Sequence, residues 1–213
     1  MTIIKMFSTR GYKTTAIDVR WNKKRAGRYV SFEPVWDINN AGICTAATLT
    51  WLRKSIATEG RGVRSVDELG PPYLMAIIQG AYTRGTIPFV NKDKYKLDKF
   101  DGIPALISSQ NLTPGESARG AGFFDPTFVI NWVSRKPCHC LFAFLHPAGE
   151  SGHMIGLRYD GQIIETFDPN FGLYQYSDTG ICKEFMRALV VEYYLYSLGG
   201  EWIVYEVKPP AQE

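Results

Sequence analysis

The sequence predicts an α+β domain in which helices come first and an antiparallel sheet second. Three observations carry that prediction. Three helical patterns fall before Ser134, and strand-like runs follow one another from Cys138 to Phe167. Between two of those runs stands Asp160-Gly161, a strong signal for a tight hairpin turn. The bulk properties agree. A chain of 213 residues can bury one substantial core, and 45% hydrophobic with 21% charged residues is an ordinary globular composition.

Taken in order, residues 1–36 read as an irregular or extended lead-in. A helix is expected from about Gly42 to Ala57, where Ala47 and Trp51 imply burial on much of its surface. Ser65-Val66-Asp67-Glu68 matches a capping box, although Pro71-Pro72 moves the start of the next helix to about Tyr73, with an end between Ala81 and Gly85. Residues 86–120, rich in Lys, Asp and Gly, read as loops with short elements on the substrate side. Asp125-Pro126 is an N-cap and first-turn pair for a helix through about Ser134. Strands are expected at Cys138 to His146, Gly152 to Tyr159 and Gln162 to Phe167. A long helix from Gly180 to Ser197 then stops at Gly199-Gly200, and Glu201 to Val207 alternates as a last strand.

The net charge of +3 is unevenly spread. Residues 1–30 hold eight Lys and Arg against Asp18 alone, a local +7 that leaves about −4 on the rest. They are read as a basic N-terminal extension, with residues 31–213 forming the domain. Such a leader can touch an anionic membrane surface or an acidic partner; a solvated, partly flexible terminus is the plainer alternative. No docking motif accompanies it, so nucleic acid is not an expected partner. No apolar run approaches the roughly 20 residues that span a bilayer. The first thirty residues also lack an apolar segment followed by a small-residue cleavage site, so any export would bypass the general signal-peptide route. Cys44, Cys138, Cys140 and Cys182 are read as reduced thiols. Cys138-His139-Cys140 lacks the second ligand pair that zinc needs, so neither metal nor cofactor is expected.

Chemistry concentrates in two segments. Cys44 falls where a loop becomes a helix, and the positive end of a helix stabilises the reactive thiolate. The second segment is the hairpin. If Asp160 and Gly161 are its turn, Tyr159 faces Gln162, Leu157 faces Ile164, and His153 faces Asp168 on the same side of the sheet. Cysteine, base and acid then make a Cys44-His153-Asp168 triad if the helix packs there. His153 would take the thiol proton and later protonate the leaving group, with Asp168 holding its tautomer. Asn39 and the Cys44 backbone N–H would bind the oxyanion.

Each residue alone has a plainer use. Cys44 suits core packing, Asp168 before Pro169-Asn170 suits a turn cap, and Asn39 suits a helix cap. His139 and His146 have no carboxylate placed by a turn and read as structural or surface residues. Cys182 starts the late helix, where its pKa could also fall, but no histidine accompanies it.

The stretches Gly42-Ile43-Cys44-Thr45-Ala46-Ala47-Thr48-Leu49-Thr50-Trp51, Gly152-His153-Met154-Ile155 and Phe167-Asp168-Pro169-Asn170-Phe171-Gly172 together resemble the YopT-type cysteine proteases, papain-like enzymes that bacteria deliver into other cells as effectors. The Asp-Pro-Asn-Phe-Gly run is the most specific match; the Thr-rich segment after Cys44 departs from the Ala and Ser expected there. The resemblance implies a papain-like fold with the nucleophile at the N-terminus of a buried central helix. It implies Cys44 as nucleophile, His153 as base, Asp168 as orienting acid and Asn39 as oxyanion donor. It also implies a protein substrate in the cytoplasm of a target cell, and a cognate immunity protein or chaperone as partner. An acyltransferase or transglutaminase-like enzyme using the same triad, and a non-catalytic binding module, are the alternatives.

Overall fold

The structure is a computed structural model of the chain and describes residues 3–9, 43–71, 74–75, 77–80, 82, 100–145, 152–194 and 200–211. Among the described residues seven strands build one sheet: β1 (Ile3–Phe7), β2 (Thr113–Ala121), β3 (Cys138–Leu145), β4 (Gly152–Tyr159), β5 (Ile164–Asp168), β6 (Gly172–Tyr176) and β7 (Glu201–Lys208). Their order is β1-β6-β5-β4-β3-β7-β2, with every neighbouring pair antiparallel. Among the described residues, the helices with defined ends are α1 (Cys44–Ala57), α2 (Ile103–Ser108), α3 (Pro126–Val133) and α4 (Thr179–Arg187), the last running on into a π-helical turn, Ala188–Tyr193; residues 74–75, 77–80 and 82 are helical too, where a helix from about Tyr73 to Ala81 is expected.

The sheet is covered on both faces, which is why β3 reads as a near-continuous apolar run. On one face Leu49, Trp51 and Leu52 of α1 pack with Leu141, Ala143, Phe167 and Ile203. On the other, Val129, Ile130 and Val133 of α3 and Cys182 and Met186 of α4 pack with Phe142, Ile155, Leu157 and Val204. β4 serves both cores by alternation: Met154 joins the first and Ile155 the second. Gly156 lets α1 approach closely, because a Cβ there would stand 2.5 Å from the Trp51 ring. That ring stacks on Phe167, the cross-strand partner of Gly156, at 5.4 Å between centroids and 10° between planes.

The α+β class is as expected, and α1 and α3 fall where the sequence puts them. Asp125 caps α3 by accepting from the Thr127 N–H at 2.8 Å. Four expectations need correction. The capping box does not form: Glu68 turns back to accept from the Arg64 N–H, and a 3-10 turn, Asp67–Leu69, stands where the box would start a helix. Thr113–Ala121, expected as loop, is the edge strand β2, held by register with β7 because its own Thr-Pro-Gly-Glu-Ser-Ala-Arg-Gly-Ala sequence has little strand character. Ile3–Phe7, within the expected basic extension, is the opposite edge strand, and Lys5 stands over the Tyr174 ring. Residues 10–30, which hold the remaining leader charges, lie outside the described residues.

The fourth correction concerns the hairpin. Tyr159 pairs with Ile164 and Gly156 with Phe167, so the β4–β5 register is two residues away from that of a two-residue turn. Asp160 widens the turn by accepting from the N–H groups of both Gln162 and Ile163 through Oδ1, an Asx turn. A shift of two keeps every side chain on its original face. His153 and Asp168 are therefore diagonal neighbours on one face, not directly opposed.

Candidate active site

Cys44 is the first residue of α1, and the first turn of that helix contains no acidic side chain to compete for its positive end. Ile43 offers no side-chain cap. A buried amide from elsewhere does that work: Gln79 Oε1 accepts from the Ala46 N–H at 3.0 Å. Two contacts fix the helix start against the head of β4. Thr48 Oγ1 donates to the Met154 carbonyl at 3.0 Å, one residue from His153, and Trp51 lies in the gap left by Gly156.

His153 is 9% exposed and Asp168 is fully buried. His153 Nε2 meets Asp168 Oδ2 at 3.1 Å, which leaves Nδ1 for the hydrogen bond to Cys44. Asp168 divides its carboxylate between two tasks. Oδ1 accepts from the Asn170 N–H at 2.7 Å, closing the Asp168–Gly172 turn, while Oδ2 holds the imidazole. One carboxylate thus closes the turn and meets the imidazole at once. The turn itself is tight: Gly172 has φ +117°, and a Cβ there would stand 1.9 Å from the Phe7 carbonyl oxygen.

Tyr194 completes the arrangement. Its hydroxyl lies 3.1 Å from Oδ1 and 3.0 Å from Oδ2 of Asp168 and accepts from Asn170 Nδ2 at 2.7 Å. Its ring stacks on the imidazole, 4.2 Å between centroids and 26° between planes. Phe144 closes another side of the imidazole at 5.7 Å. The π-helical turn delivers Tyr194: its N–H bonds to the Leu189 carbonyl five residues back.

The electrostatics follow from these contacts. Burial works to raise the Cys44 thiol, but the hydrogen bond and charge of His153, with help from Thr45 and the Met154 backbone, outweigh it and bring the thiol below its ordinary value. For His153, burial opposes the charge, yet Asp168 and then Cys44 overcome it and push the imidazole up to about 9. The two shifts run in opposite senses, and each favours the charged form of its group: the thiol is lowered by the imidazole, and the imidazole is raised by the carboxylate and the thiol. Tyr194 is raised by burial and by the charge of Asp168, so it stays a donor.

The other candidates separate cleanly. Burial and then the charge of Arg158 hold His139 down at about 4, and it shares a hydrogen bond with Ser55 of α1 at 2.9 Å. Cys182 is fully buried and burial pushes it up to about 12, against the lowered value its place at a helix start suggested. The Cys138 and Cys140 sulfurs lie 3.5 Å apart at the start of β3, with Cys140 buried and Cys138 half-buried. Asn39 and His146 lie outside the described residues. Among the described residues no group of three His, Cys, Asp or Glu could hold a metal, and no helix is long and apolar enough to cross a membrane. Gln79, Thr48 and Tyr194 carry no sequence signal for these roles. Asn170 was legible only as part of the Asp-Pro-Asn-Phe-Gly run.

The fold is papain-like: an α+β domain with a cysteine at the head of its central helix. No family model matches the sequence, and no curated protein matches it. In structure the chain is similar to the Pseudomonas avirulence protein AvrPphB, with a TM-score of 0.61 at 18% identity, covering 84% of this chain and 98% of that one. A second similar structure is the ubiquitin-specific protease of the murine cytomegalovirus tegument protein M48, in complex with a ubiquitin-based suicide substrate; its TM-score is 0.49 at 11% identity, covering 97% of this chain and 85% of that one.

Proposed function

We propose that the chain is a cysteine endopeptidase of the YopT type, with Cys44 as nucleophile, His153 as base and then acid, and Asp168 as the group that orients it. One observation supports this reading above the others: His153 is hydrogen-bonded on one side to Asp168 and on the other to a lowered thiol at a helix start. The Cys44 thiolate attacks the scissile carbonyl, and the backbone N–H of Cys44 with the Asn39 amide receives the oxyanion. His153 protonates the leaving amine and releases the first product. It then takes a proton from the water that cleaves the thioester, returning the pair to its starting state. Asp168 keeps Nε2 protonated so that Nδ1 always faces the sulfur. Likeness in fold to an avirulence protein of Pseudomonas favours a bacterial effector that cuts a protein inside a target cell.

The test is alkylation with iodoacetamide at pH 6, mapped by mass spectrometry, followed by a search for new N-termini in a digested proteome. Preferential labelling of Cys44 that disappears in His153→Ala, together with new N-termini, is the expected result. Equal, slow labelling of all four cysteines sinks the triad. Mass-shifted but uncut proteins would make the enzyme a transferase.

A further inference from the structure

His153 occupies a row that continues across the sheet. It pairs with Phe144 on β3, Phe144 pairs with Trp202 on β7, and Trp202 pairs with Gly120 on β2. Directly paired residues point to the same face, so the row lies on the side away from α1. It is also the penultimate row of the sheet, at the end where the Asp168 turn and Cys44 meet. Beyond Phe144 the row continues into Trp202, which is buried at 5% exposure, and the exposed aromatic surface begins where Phe128 packs on it. The indole of Trp202 leans over Gly120, where a Cβ would stand 2.5 Å from its ring. Phe128, in the first turn of α3, packs against that indole at 5.6 Å between centroids and remains 47% exposed. Phe123, two residues past the end of β2, is 70% exposed. These are the two exposed phenylalanines among the described residues, and both stand at the catalytic end of the sheet. The other described phenylalanines are buried or pack against one of the two cores, so this pair calls for an occupant.

Direction settles which occupant. The group that must protonate the leaving amine is His153, and the aromatic surface extends from its side of the sheet, away from Cys44. Neighbouring strands are about 4.8 Å apart, so two steps from β4 to β7 span roughly 10 Å, which an extended chain covers in about three residues. We propose that Phe123, Phe128 and Trp202 form a subsite for an apolar side chain two or three residues beyond the scissile bond, on the segment that leaves first. The inference rests on the endopeptidase reading and names a feature of its substrate: an unfolded or looped polypeptide with a Leu, Ile, Met or aromatic residue on that side.

The experiment uses the full chain with a proteome-derived peptide library, reading both sides of every cut by mass spectrometry. Cuts enriched for apolar residues at the second or third position after the break are expected. The Phe123→Ser/Phe128→Ser double variant should lose that enrichment. For one selected peptide its kcat/KM should fall about tenfold relative to the same acyl portion carrying an aminocoumarin leaving group, which cannot reach the patch. Retained enrichment in the variant, an equal loss on both substrates, or enrichment on the acyl side instead would each overturn the subsite. So would a wild-type dimer, seen by light scattering, that the double variant abolishes while peptide preference is unchanged. No cut in the wild type, with no preferential Cys44 alkylation, overturns the endopeptidase reading itself and is distinguishable from all of these.

Discussion

Two histidines on adjacent strands of one sheet sit at opposite charge states. His153 on β4 is pushed up to about 9, and His139 on β3 is held down at about 4. Both are largely enclosed, and both have a buried carboxylate on a nearby strand, Asp168 or Glu165. The difference lies in what each carboxylate is already doing. Glu165 spends Oε1 on Arg64 and Gln175 and Oε2 on Arg158, and Arg158 is the direct cross-strand neighbour of His139. What His139 meets first is a guanidinium. Asp168 binds only neutral donors besides the imidazole, so its charge falls on His153. Neither burial nor a nearby carboxylate makes a base; an unneutralised carboxylate does.

The strongest way to break this comparison is to remove each ring in turn. His153→Ala is expected to cost about 10⁴-fold or more in kcat/KM for peptide cleavage, as is Cys44→Ala. His139→Ala should cost stability only, through the lost Ser55 contact. Comparable losses of activity per folded molecule in both histidine variants would dissolve the distinction.

Asp168→Asn comes next, with an expected loss of about 10²- to 10⁴-fold. The pH profile carries the sign. In the proposed mechanism the active form is the thiolate–imidazolium pair, so activity should rise as Cys44 ionises and fall as His153 loses its proton near pH 9. Removing Asp168 takes away the largest influence raising His153, so the alkaline limb should move down towards the ordinary imidazole value of about 6.5. A weaker imidazolium stabilises the thiolate less, so the acid limb should move up. The bell narrows from both sides. A profile displaced without narrowing would show that Asp168 is not the source of the raised value.

Much of this site was legible because its parts are local. Cys44 at a helix start and Asp125 at an N-cap follow from neighbouring residues, and the His153–Asp168 face follows from hairpin parity. The register itself was not legible, because the Asp160 side chain widens the turn by side-chain-to-backbone bonds that a dipeptide rule does not count. The contact survived that error only because the shift was even. Gln79 and Tyr194 were beyond reach for another reason: each acts on a segment 33 or 26 residues away, and no periodicity encodes such a pairing. β2 was missed because its strand state comes from β7, not from its own sequence.

On the His139 side, Glu165→Gln leaves Arg64 and Arg158 facing each other without a buried counter-charge. Breaking a buried pair in this way costs about 3–5 kcal/mol, read as a lower midpoint in urea unfolding. Activity per folded molecule should stay near that of the wild type, since nothing in the Cys44–His153–Asp168 arrangement touches Glu165. A stability loss below about 1 kcal/mol would mean that water already screens this cluster, as it does at exposed salt bridges.

The smallest expected effect separates two things that Tyr194 does at once. Tyr194→Phe keeps the ring on the imidazole and removes the hydroxyl, so Asp168 loses one donor and Asn170 Nδ2 loses its acceptor. A hydrogen bond to a charged group is worth about 1.5–3 kcal/mol, but Asp168 retains the Asn170 N–H, so about a tenfold fall in kcat/KM is expected. The alkaline limb should remain near pH 9, because a carboxylate with one donor fewer attracts the imidazolium no less. Tyr194→Ala also removes the stacked ring, whose face favours a cation and keeps water from it. In that variant the alkaline limb should fall. If both variants shift the limb equally, the hydroxyl rather than the stack sets the charge of His153; if neither shifts it, Asp168 alone does, and the contrast with His139 reduces to one carboxylate against another.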